Sequence, residues 1–114
     1  MIQTSYFANR KIRESGLRLV AISLSVPIGF KCERYSKLAP TREMINLAHD
    51  GRTKEYTEIY TSEILSELDP VKVYKELDGS VLLCWEKAGK FCHRQIVADW
   101  LEQATGKRIT EAMT

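Results

Sequence analysis

Cys92, His93 and Arg94 put a thiol, an imidazole and a guanidinium on three consecutive residues. A thiolate is a nucleophile, an imidazole moves protons near neutral pH, and a guanidinium fork grips phosphate or carboxylate. After them Ile96, Val97, Trp100, Leu101 and Ala104 recur at spacings of three and four, one face of a helix. The triplet therefore stands where a helix begins, and unpaired backbone N–H groups there favour negative charge. The pattern predicts an anion site made by Arg94 and the helix start, with Cys92 and His93 as candidate catalytic groups. A thiol in that field has its pKa drawn down toward the thiolate.

Glu86 is the third candidate catalytic residue, placed to orient the imidazole of His93 or to act as a base. Tyr6, Asn9 and Ser23 follow earlier strands and could donate hydrogen bonds to a polar ligand from across a pocket. Structural readings stand beside these. Cys92 also reads as a small packed residue, His93 as a local cap, Arg94 as the partner of an acid, and Glu86 as plain surface. Cys84 reads as core. Tyr35, Tyr56 and Tyr60 read as packing residues rather than base-stacking platforms. No metal is expected, because Cys84 and Cys92 are eight positions apart and match no standard zinc spacing. A CX5R phosphatase loop is excluded, since Arg94 is too close to Cys92 and too far from Cys84.

The elements that must hold these groups can be read outward from them. Val81-Leu82-Leu83-Cys84-Trp85 is a short apolar run that predicts a buried strand, and Glu86–Lys90 is the turn after it. The site thus falls at the carboxyl end of a strand, where open α/β sheets bind ligands. Upstream, Met1–Phe7 alternates as a first strand and Asn9-Arg10-Lys11 reads as the loop after it. Leu17–Leu24 turns fully apolar in its middle, as a strand covered on both faces does. Residues 25–41 look irregular, punctuated by Pro27, Gly29 and Pro40. Thr41 caps a helix that stops near Asp50-Gly51, and a longer helix spans about 53 to 68. Asp69-Pro70 opens a third, and Gly106 ends the last, which starts at Cys92. Arg108-Ile109-Thr110 could add an edge strand.

Strands separated by helices predict one α/β domain over residues 1–114. Its expected form is a small Rossmann-like or flavodoxin-like three-layer sandwich with a mostly parallel sheet of three to four strands. At 114 residues the chain can bury a real core. No apolar run approaches the roughly 20 residues a membrane span needs, and the start lacks a signal-peptide layout, so a cytoplasmic protein is expected. The three cysteines, an odd number, predict free thiols. Net charge is +2 but uneven, with seven Lys/Arg against two acids in residues 1–38 and five against nine in 39–80. That balance is milder than a dedicated nucleic-acid binder carries, so nucleic acid is not the expected partner.

Leu82-Leu83-Cys84-Trp85-Glu86, then Phe91-Cys92-His93-Arg94, then Ala98-Asp99-Trp100-Leu101 resembles the carboxyl-terminal signature of the family called domain of unknown function 488. Thr4–Ala8, Val20–Ser23 with Pro27, and Leu38–Thr41 agree with it, so the resemblance covers nearly the whole chain. It implies a Rossmann-like α/β domain with the Cys-His-Arg segment lining a pocket, and it carries over no established reaction. Its proposed kinship to nucleoside deoxyribosyltransferases and TIR domains is fold-level analogy. Longer members have a Gly-His-Ser-like turn after the first strand. Here Tyr6-Phe7-Ala8-Asn9 stands in that place, so any role of that histidine is absent.

The leading expectation is a small anionic ligand, of nucleotide or phosphosugar type, bound without a cofactor, with transfer or hydrolysis as the chemistry such groups could perform. Two alternatives come from other classes. One is a non-enzymatic interaction module with an exposed apolar patch around Ile28, Phe30 and Tyr35. The other is a thiol sensor using Cys92 and Cys84.

Overall fold

Ser80–Cys84 (β4) is buried at all five positions, because the chain covers it on both faces and both edges. In the computed structural model, which describes residues 1–112, this strand is the middle of a five-stranded parallel sheet. The others are Gln3–Tyr6 (β1), Arg18–Ala21 (β2), Glu33–Arg34 (β3) and Thr110–Glu111 (β5), in the order β3-β2-β4-β1-β5. The helices are Arg10–Arg13 (α1), Arg42–His49 (α2), Thr53–Glu63 (α3), Pro70–Leu77 (α4) and His93–Thr105 (α5). No helix among the described residues is long and apolar enough to cross a membrane.

The register explains how the faces divide. Thr4 pairs with Leu82 and Leu82 with Val20, so these side chains share one face with Ile2 and Ile22. That face carries the larger core, where Tyr56, Tyr60, Val73, Leu77, Val97 and Leu101 from α3, α4 and α5 pack on it. The opposite face, with Ala21, Val81 and Leu83, is covered by Phe7, by Ile12 of α1 and by Val26 and Phe30 of the loop before β3. Layers on both sides of the sheet make the expected sandwich. Cys84 pairs with Tyr6 and lies on the α5 side, which decides what it can meet.

Several caps follow local chemistry. The Thr41 side chain accepts from Met44 N–H, and Asp69 accepts from Val71 and Lys72 N–H ahead of Pro70 at the first helical position. Gly106 closes α5 with φ 69°, a left-handed conformation that glycine adopts without a Cβ penalty. Other expectations needed correction. The sheet has five strands rather than three or four, because β3 and β5 are two residues each and too short to show alternation. Asn9 is not a loop residue facing a pocket. It caps α1, accepting from Ile12 N–H and donating to Ser5 Oγ. The helix expected over 53–68 ends at Glu63, and a 3-10 turn takes over at Leu65–Glu67.

Candidate functional site

Above the carboxyl ends of β2 and β4 lies a cavity of about 640 Å³. Cys84, Cys92 and His93 line it together with Ser23 and Glu86, and the start of α5 opens into it. Tyr56 and Phe91 form an aromatic wall, their rings edge to face at 5.1 Å. Arg42 and His49 of α2 and Lys90 of the turn before α5 also line it. Among the described residues neither Arg42 nor Lys90 has an ion-pair partner, whereas five other ion pairs are formed.

His93 is buried, and its Nε2 lies 2.6 Å from the carbonyl oxygen of Ile22. A carbonyl only accepts, so Nε2 carries the hydrogen and Nδ1 keeps a lone pair. That lone pair faces the Cys92 sulfur at 3.9 Å. Burial lowers the imidazole pKa to about 4, and the Arg94 charge beside it adds to the effect, while the Ile22 bond opposes it. At neutral pH the ring is an uncharged acceptor. Ile22, not Glu86, orients it. The Glu86 carboxylate is exposed at the cavity edge, and among the described residues only its backbone carbonyl is engaged, by Arg94.

Arg94 departs most from expectation. It is fully buried, and its guanidinium turns away from the cavity. Nε and Nη2 donate to the two carboxylate oxygens of Glu111 at 3.0 and 2.9 Å, and Nη1 donates to Glu86 O at 2.7 Å. Nη1 also donates to Cys84 Sγ at 3.0 Å. With a bidentate carboxylate already in its fork and four of its five N–H groups engaged, Arg94 does not present its fork to a ligand anion. Tyr6 goes with it, since its ring lies 6.0 Å from the Arg94 guanidinium carbon and does not line the cavity. Ser23 does reach the cavity, but its hydroxyl donates to Ser25 O.

The cysteines also differ from expectation. Cys84 and Cys92 are joined as a disulfide, with Cα atoms 7.1 Å apart, and the described free thiol is Cys32. The seven residues of the connection after β4 return the chain to the strand's end, which spacing alone does not reveal. The apolar patch dissolves. Ile28 is fully exposed, but Phe30 packs edge to face on Phe7 at 5.2 Å. Tyr35 packs against the core and donates its hydroxyl to Glu76.

The chain matches the family model described as the active DUF488-N3 subclade over residues 2–105. It belongs to the DUF488 family. The matched span of this DUF488 chain contains every cavity residue named above, while Glu111, the acid that holds Arg94, lies beyond it. No curated protein and no solved structure matches the chain.

Sequence reasoning missed Arg42, His49 and Lys90. No local signal marks them, because they sit on exposed positions of α2 and of the turn before α5. Arg94 did leave a signal. Arg94, Val97, Ala98 and Leu101 are spaced by three and four, so Arg94 belongs to the buried stripe of α5 and required an acid.

Proposed function

We propose that this protein binds a small anionic ligand of nucleotide or phosphosugar type in the cavity above β2 and β4. The carrying observation is that two cations without ion-pair partners among the described residues, Arg42 and Lys90, line a cavity that also has an aromatic wall. Arg42 and Lys90 hold the anion in this reading, and Tyr56 and Phe91 flank the apolar part of the ligand. Arg94 is a positioning residue, which keeps the start of α5 against β4. His93 presents its Nδ1 lone pair toward the cavity, and Glu86 is the exposed acid at the rim. Transfer or hydrolysis at a glycosidic or phosphate bond is the chemistry these groups suit.

Isothermal titration against a panel of nucleoside phosphates and sugar phosphates tests the reading. At least one should bind, and Arg42→Ala with Lys90→Ala should weaken it about tenfold or more, the scale of a lost charged hydrogen bond. A panel without a binder, or equal binding by the double variant, ends the proposal.

A second reading, a thiol switch, is favoured by the Cys84–Cys92 pair beside His93. In a cytoplasmic setting the pair would lose two electrons and two protons to a peroxide-class oxidant and regain them from a cellular dithiol. Iodoacetamide labelling against pH checks it. A reduced Cys92 that titrates like an ordinary free thiol would remove the activated thiolate from this reading.

A further inference from the structure

The cavity floor carries a second chemistry. Cys84 Sγ, Cys92 Sγ and His93 Nδ1 or Nε2 form a cluster in which the donor atoms lie within 4.8 Å of one another, all on buried residues. Two features beyond proximity suit a metal. His93 gives its Nε2 hydrogen to Ile22 O, which fixes the tautomer that leaves Nδ1 free, as outer contacts do for ligating histidines. Arg94 donates to Cys84 Sγ, a bond that favours the thiolate a metal requires.

We infer that the reduced protein binds one Zn²⁺ through Cys84 Sγ, Cys92 Sγ and His93 Nδ1, with a fourth position open to the cavity. Two thiolates and a neutral imidazole match the soft, tetrahedral preference of zinc, and three protein ligands leave room for water or a ligand atom. The charge of Arg94 is met by Glu111, and the two thiolates neutralise the metal. The disulfide form has no thiolate to offer, so loading is gated by oxidation state. An external dithiol supplies two electrons and two protons to cleave the S–S bond and is itself oxidised to a disulfide. Zinc then binds both thiols as thiolates and releases those two protons.

This inference shares the cysteine pair with the thiol-switch reading, and one experiment separates them. Anaerobic titration of the reduced full chain with Co²⁺ should give one ion per chain, with sulfur-to-cobalt charge transfer and the visible bands of a tetrahedral site. Zn²⁺ should displace the cobalt. Cys84→Ser and Cys92→Ser should each weaken binding by about 100-fold or more, beyond the tenfold to hundredfold effect of outer-shell changes. Cys32→Ser should bind like the parent, and the oxidised chain should not bind. Zn²⁺ should also protect Cys84 and Cys92, but not Cys32, from iodoacetamide in the unmutated protein, which makes the test independent of how the variants fold. No cobalt uptake, tight binding by the Cys84→Ser chain, or zinc that protects neither cysteine overturns the inference. A pair that cycles between thiol and disulfide but takes no metal leaves the switch reading standing and removes this one.

Discussion

His93 and Arg94 are neighbours on the first turn of α5, yet they belong to different worlds. Arg94 faces the edge of the sheet, where Glu111, Glu86 O and Cys84 engage four of its five N–H groups. His93 faces the cavity, where Arg42 and Lys90 stand without ion-pair partners among the described residues. Residues one position apart on a helix diverge by about 100°, so a single element can present a structural charge and a cavity-lining imidazole side by side. The contrast teaches that charge beside a site is not evidence of binding until its existing partners are counted. A satisfied guanidinium holds the protein, and an unsatisfied one is available to a ligand.

The comparison breaks most sharply on the closed side. Glu111→Ala leaves a fully buried guanidinium without its carboxylate, and such losses cost about 3–5 kcal/mol. The lower end is expected, because the Glu111 side chain is 32% exposed and water can partly replace it. Urea unfolding should therefore show a much reduced midpoint. A midpoint equal to the parent's would mean that the pair holds nothing together.

The next effect lies on His93. Its folded pKa of about 4 is below the ordinary 6.5, so the unfolded chain binds more protons between those values. Stability from this group is whole above pH 6.5 and falls as the pH drops toward 4, by about 3 kcal/mol in all. Urea midpoints of metal-free protein at pH 7 and 4.5 check this against His93→Gln, whose amide can still donate to Ile22 O. The variant should lose less stability on acidification than the parent. An identical loss would place the acid sensitivity elsewhere.

The smallest effect belongs to the open side. Arg42→Ala and Lys90→Ala remove exposed side chains with no ion-pair partner, so each should change stability by no more than about 0.5 kcal/mol. Thermal midpoints should stay near the parent's while ligand affinity falls. A large loss of stability would move these two residues to the structural side of the comparison.

Much of the fold was legible because its signals are local. Thr41, Asp69-Pro70 and Gly106 mark helix ends by chemistry acting within four residues, and the run ending at Cys84 is apolar enough to demand burial. The short strands Glu33–Arg34 and Thr110–Glu111 were harder, because two residues have no periodicity and are strands only through their neighbours. The position of the cavity, at the end of β4 and the start of α5, was also legible. Its membership was not. Glu111 meets Arg94 only because β5 pairs with β1, and Ile22 meets His93 across 71 residues.

The sequence by itself therefore determined several helix ends, those at Thr41, Asp69-Pro70 and Gly106, and the buried central strand. The tertiary structure alone decided which charges were already spent, that Cys84 and Cys92 meet, and that Arg42 and Lys90 line the cavity. The physical reason is range. Backbone capping and apolar periodicity act over a few residues, whereas the partner of a buried charge is chosen by strand register and helix docking between distant parts of the chain.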